Sequence, residues 1–194
     1  MSEQENLPFG ARGKSSIPYP GIRQTLDTCV LASIGGAVNH LAGKEVWTED
    51  SLFRATRATG TSGATFGHVV PAALASVADV VGAREHLDGE ERAEPLDGFV
   101  RLVREYVDGG GLAIVSLQLA TRSPTGFQRQ EAWHMLTLIG REGNLYHIWV
   151  SNGVQTLVTE QELFRLPYSP GYWLVEHDRH HALLLWRKEE PQKR

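Results

Sequence analysis

The hydrophobic period of this chain changes once, near residue 111, and that change constrains its fold more than any other feature. Before it, apolar residues recur at helical spacing; after it, they come in short runs bounded by turn residues. Val30, Leu31, Ile34, Val38 and Leu41 fall on one helical face, with Asp27 or Thr28 placed to cap the start and Gly43 to end it. Gly35 and Gly36 lie inside this helix, and each costs about 1 kcal/mol of propensity against alanine. Close packing of another segment against the helix would justify that cost. Thr48, followed by Glu49 and Asp50, caps a short helix reaching to about Arg57. RATGTSGATFG (57–67) reads as a loop, and helical signal resumes over 68–77. Pro95 suits the first turn of a further helix, whose stripe is Leu96, Phe99, Leu102, Val103 and Tyr106, and Gly109, Gly110 and Gly111 end it.

Beyond the glycines, residues 112–120, 134–139, 145–150, 155–158, 171–175 and 182–186 read as strands. GREGN (140–144) joins a hairpin, and TRSPTGFQRQE (121–131) reads as a polar loop. Helices first and strands afterwards predict an α+β domain with a mainly antiparallel sheet. The 194 residues suffice for one domain with its own core. Residues 1–21, with Pro8, Gly10, Gly13, Pro18 and Pro20, are expected to form an extended or flexible arm, 22–188 the domain, and 189–194 a polar tail.

A net charge of −4 with scattered Lys and Arg gives no reason to expect nucleic acid or an anionic membrane as partner. No stretch approaches the roughly 20 apolar residues of a membrane helix. MSEQENLPFG lacks the basic and apolar blocks of a Sec signal. These readings predict a soluble protein, cytoplasmic or exported by a route that needs no signal peptide.

The chain has one cysteine, Cys29, so an intramolecular disulfide and a multi-thiolate zinc site are both ruled out. A lone cysteine usually behaves as a small buried apolar side chain. Its position argues otherwise. The thiolate is the reactive form, and a helix N-terminus and a neighbouring imidazolium both favour it. Cys29 falls at the predicted start of the 30–41 helix. His134 falls where the polar loop becomes an apolar strand. Asn152 follows the second strand of the hairpin, eighteen positions later, and antiparallel pairing returns it toward His134. Such a third group orients an imidazole and fixes its tautomer. An oxyanion needs donors as well: the Cys29 backbone N–H and the Gln24 side-chain amide, five residues upstream, are the candidates.

Other residues are weaker candidates. HDRHH (177–181) fits no regular zinc spacing and reads as a solvated turn, and neither a metal nor a cofactor is expected. His40 lies about three turns from Cys29, too far to activate it. His147 is expected to be packed or at the surface, and Trp149 and Trp173 to be core. Trp133 could shield His134, line a groove or simply pack. Ser33 and Ser116 have no base nearby in sequence.

IRQTLDTCVLASIGGAVNHLAG and AWHMLTLIGREGNLYHIWVSNG, with TEQELFRL (159–166) after them, resemble the papain-like cysteine peptidase superfamily and, within it, the bacterial C39-like branch. The likeness runs over roughly residues 20–170. It implies a helical N-terminal part whose nucleophile helix packs on the sheet. Residue by residue, it implies Cys29 as nucleophile, His134 as general base and acid, Asn152 as its orienting partner and Gln24 in the oxyanion hole. Asn stands where that branch commonly has Asp, and the Gln24–Cys29 interval is one residue shorter than usual. The implied activity is a thiol hydrolase acting on an amide of a protein or peptide, either a peptide bond or a glutamine side chain, through a thioester. The same triad serves transamidation, and a binding module that keeps the fold without turnover is the alternative. The resemblance is compatible with an effector or a peptide-processing enzyme.

Overall fold

A computed structural model describes residues 13–25, 28–57, 65–87, 96–123, 126–164, 173–175 and 181–188, with the backbone alone at 87, 96, 116–123, 126–134 and 173–175. Helix α1 (Cys29–Ala42) buries Val30, Leu31, Ile34 and Val38 and stops at Gly43, whose left-handed φ of 69° suits glycine. The cost of its internal glycines has the expected origin. A β-carbon at residue 36 would lie 3.1 Å from the Ile22 nitrogen and 3.2 Å from the Gly21 Cα, and one at residue 35 would meet Ile22 Cδ1 at 2.7 Å. The segment leading into α1 thus doubles back across its middle.

Helix α2 (Glu49–Thr56) opens with a capping box in which Thr48 and Ser51 satisfy each other's backbone N–H groups. Helix α3 (Phe66–Leu74) starts two residues before the apolar pattern and ends three before it, because 75–80 turn the chain into β1 (Val81–Leu87). Helix α4 (Leu96–Asp108) precedes β2 (Leu112–Ser123), β3 (Gly126–Glu142), β4 (Leu145–Val150) and β5 (Val154–Thr159). Helix α5 (Glu160–Phe164), β6 (Trp173–Val175) and β7 (His181–Arg187) follow.

The strands lie in the order β1-β7-β2-β3-β4-β5, with β6 pairing β2 beyond the end of β7, and every described pairing is antiparallel. VGAREHL carries no clean apolar alternation and has no assignment in the sequence reading, yet it pairs along its whole length with β7. Tertiary pairing overrides weak local preference. The polar stretch expected as a loop is ladder instead: Ala120 pairs with Arg129 and Ser123 with Gly126, so β2 and β3 continue as a long hairpin. Its backbone is satisfied across the ladder whatever the side chains, which is why polarity alone misreads it.

Alternation along the strands feeds two cores. Val115, Leu136, Leu138, Ile148, Val150 and Leu184 pack against Phe99 and Val103 of α4 and Phe164 of α5. Ile114, Met135, Trp149, Leu183 and Leu185 pack against α1 and against Val69 of α3. The result is an α+β layer arrangement with α1 on one face and α4 on the other. On the α4 face, the Arg104 guanidinium makes a bidentate pair with Glu160 (2.8 and 2.5 Å), which also accepts from the Tyr146 hydroxyl at 3.2 Å. Arg104 holds the Glu160 carboxyl below its ordinary range, and burial pushes the Tyr146 phenol up.

Candidate active site

The chain approaches Cys29 through residues 13–25, which lie against the α1 face of the sheet. The Ser15 hydroxyl is 2.7 Å from Nδ1 of His147 and accepts from the Gln155 amide at 2.6 Å. His147 is buried on β4, with Nε2 3.3 Å from the Glu142 carboxylate, so it is a packed residue. Tyr19 sits between His40 and Trp149, with ring centroids 5.3 and 5.7 Å away. Burial pushes the Tyr19 phenol up and the His40 imidazole down. Gly21 lies flat on the Trp149 indole, where a β-carbon would fall 2.1 Å from the ring.

Gln24 then docks on the end of β4. Its backbone N–H donates to the Ser151 carbonyl at 2.7 Å, and the Ser151 hydroxyl donates to its Oε1 at 2.5 Å. This engages the amide oxygen with Ser151 and turns the NH2 group the other way. Next, both Glu49 carboxylate oxygens accept from the Thr25 backbone N–H (2.9 and 3.0 Å). Oε2 also accepts from the Thr25 hydroxyl at 2.7 Å, and Oε1 from the Thr28 hydroxyl.

Thr28 is buried and occupies the N-cap of α1, as expected for one of the two residues placed there. Its carbonyl accepts the first helical bond, from Ala32 at 2.9 Å. Its side chain makes no capping bond, and its φ and ψ of −115° and 28° lie outside the extended region usual for a capping residue. Asp27, the other capping candidate, lies outside the described residues. Cys29 is the first residue of α1, half-buried and packed against the α1-side core. The thiol therefore stands at the positive end of the helix dipole, in a helix with no acidic residue in its first turn.

His134 is placed somewhat differently from the sequence expectation. It lies inside β3 rather than at its start, with its backbone opposite Leu117 of β2. The β3–β4 pairing ends at Leu136↔Val150, two residues short of His134 along β3, and residues 151–153 then turn the chain into β5, whose Val154 pairs with Val150. His134 thus lies where β3 runs on past the end of β4, and no described pairing joins it to Asn152. Asn152 is exposed in the turn of residues 151–153, and its Oδ1 accepts from the Val154 N–H at 3.2 Å. One Oδ1 lone pair is thereby used within the turn, and a second remains.

Gln24 and the Asn152 turn are joined through Ser151, and α1 packs on β3. Cys29, Gln24, His134 and Asn152 are in this way carried on mutually packed elements. Two residues the sequence reading did not single out bind this region together. Ser151 carried no signal beyond its place before Asn152, and Glu49 read only as a first-turn acid. A cleft of about 370 Å³ opens between residues 20–23 and 45–49, with Glu49 on its wall. Cys29, Gln24 and Asn152 are not among its described lining residues.

Of HDRHH, His181 falls in β7 with Nε2 2.7 Å from Glu85, while 177–180 lie outside the described residues. Among the described residues no cluster of His, Cys, Asp and Glu forms a metal site, and no helix is long and apolar enough to cross a membrane. Ser33 is fully buried in α1, and Trp149 belongs to the core as expected. The Trp133, Trp173 and Ser116 side chains lie outside the described atoms.

No protein-family model and no curated protein matches the sequence. Solved structures do match the fold. A crystal structure of a protein described as a C39-like peptidase, from Bacillus anthracis, superposes with a TM-score of 0.55 at 12% identity, covering 90% of this chain and 96% of that one. The peptidase domain of Streptococcus ComA, a bifunctional ABC transporter of a quorum-sensing pathway, gives 0.55 at 14% identity, covering 89% of this chain and 100% of that domain. At such identities the likeness speaks for architecture alone. The chain has the papain-like fold of the C39-like peptidases.

Proposed function

We propose that this protein is a thiol hydrolase that cleaves an amide in a protein or peptide, with Cys29, His134 and Asn152 as its triad and Gln24 in the oxyanion hole. The observation that carries the proposal is the placement of the single cysteine as the first residue of α1, on a helix packed against the strand that bears His134. A structural cysteine has no need of a helix start. A nucleophile does, because the dipole and the backbone N–H groups there favour the thiolate and then the oxyanion.

In the proposed reaction the Cys29 thiolate attacks the amide carbonyl, forming a C–S bond while the carbonyl oxygen takes the negative charge. The Cys29 backbone N–H and the Gln24 NH2 group donate to that oxygen. His134 gives its proton to the departing nitrogen as the C–N bond breaks, leaving a thioester. It then removes a proton from water, which attacks the thioester, releases the acid and restores the thiolate. Asn152 holds the imidazole by accepting its other N–H. A peptide bond as substrate yields an amine, and a glutamine side chain yields ammonia. An amine in place of water gives transamidation. A selective role, as an effector or a peptide processor, suits the compact size of the domain.

The test is mass spectrometry of a peptide library and of glutamine-rich proteins incubated with the enzyme in H₂¹⁸O. One ¹⁸O should enter the new carboxyl group, at a cleavage site or at a deamidated glutamine, and Cys29→Ala should abolish it. Turnover that survives Cys29→Ala would overturn the proposal, as would the absence of any turnover.

A further inference from the structure

We infer that Glu49 is a positioning residue for the Cys29 nucleophile, acting by drawing the Thr28 hydroxyl away from the amides of α1. The inference rests on the proposed thiol chemistry and extends it to a residue outside the triad. Glu49 is half-buried at the start of α2, and its two oxygens take the Thr25 N–H, the Thr25 hydroxyl and the Thr28 hydroxyl. Its bonds therefore fall on both sides of the short link into Cys29, at residues one and four places before it. The other charged residues lining the cleft beside it are Arg23 and Glu45.

A threonine at an N-cap normally turns its oxygen onto the N–H of the second or third helical residue. Thr28 does not: its hydroxyl is committed to Glu49, and its backbone lies outside the capping conformation. The Thr28 hydroxyl therefore takes none of the first amides of α1. The group placed to be stabilised there is an anion at Cys29, first the thiolate and then the oxyanion of the substrate. Without the Glu49 carboxylate, the Thr28 hydroxyl would be released to cap α1. The Gln24–Cys29 link would also lose its anchor on the α2 side while keeping the Ser151 anchor at Gln24.

The sign of one measurement separates this role from simple electrostatics. A carboxylate near a thiol disfavours the thiolate, so neutralising Glu49 by charge alone would lower the pH midpoint of Cys29 alkylation. The positioning role predicts the reverse. In Glu49→Ala, the iodoacetamide pH–rate midpoint should rise by about half a pH unit or more. Thr28→Val, which leaves no hydroxyl to cap α1, should keep the wild-type midpoint and should cancel that rise in the double variant with Glu49→Ala. The Tm of Glu49→Ala and Thr28→Val is measured alongside.

A Glu49→Ala midpoint that stays put or falls while the wild-type midpoint is low would overturn the inference and leave the hydrolase reading standing. So would a change in Tm alone. A wild-type thiol that reacts as an ordinary one, with a midpoint near about 8.5, would overturn both.

Discussion

Ser151 is buried completely and spends its hydroxyl on the Gln24 amide oxygen. That bond decides which end of the amide is available as a donor. Removing an oxyanion-hole donor costs about 10²- to 10³-fold in kcat, and Gln24→Ala is predicted to show a loss of that size. Ser151→Ala, which leaves the amide able to flip, is predicted to lose part of it, with KM nearly unchanged, in steady-state kinetics on any substrate the library identifies. His134→Ala removes the proposed acid and base and is predicted to lower kcat by about 10²- to 10⁴-fold. At this scale the sequence was most informative where the signal was local. As candidates, Cys29 stands out by preceding an apolar helical stripe, and Asn152 by following a strand. Ser151 and Glu49 could not be read in this way. Their partners lie 127 and up to 24 residues away, and neither residue type is unusual where it stands.

The glycines of α1 show how one element was legible and its neighbour was not. Their cost in propensity predicted a close-packed segment, and residues 21 and 22 lie there. That the same segment rests on Trp149 could not be foreseen, because Gly21 and Trp149 meet only across the finished sheet. Gly21→Ala would drive a β-carbon into the indole at 2.1 Å. Overpacking of this kind costs about 1–3 kcal/mol, so a Tm lower by roughly 2–12 °C is predicted by calorimetry. Gly36→Ala meets backbone at 3.1–3.2 Å, a milder conflict offset by alanine's better helix propensity, and is predicted to lower Tm less. Strand β1 and the extension of the β2–β3 hairpin escaped the sequence reading for a common reason. Their stability comes from ladder partners, Leu87 with His181 and Thr121 with Gln128, rather than from an apolar period of their own.

For the molecule as a whole, acidification is predicted to weaken folding in two stages. Burial depresses His40 below its ordinary 6.5, so the unfolded chain binds the proton first and stability declines as pH falls below that value. Arg104 depresses Glu160 below 4.5, so the contribution of that pair is fully present above 4.5 and is lost as pH falls through the folded value. Denaturant titrations across pH should show wild type more stable than Glu160→Gln at pH 7, with the gap closing below about pH 4.5. The α+β class and the run of strands after residue 111 were readable because most of those elements carried their own period. The shared site was harder to read: it depends on α1, the 13–25 segment and the β3–β4 pair meeting, and only the hairpin part of that is local in sequence. The central claim is that this assembly makes Cys29 a thiolate with the help of His134. Iodoacetamide alkylation of Cys29 against pH, in wild type and in His134→Ala, tests it most directly. Rapid reaction well below pH 8 is expected in wild type, with the His134→Ala profile shifted toward an ordinary thiol. A wild-type rate no faster than that of an ordinary thiol, unchanged by His134→Ala, would contradict it.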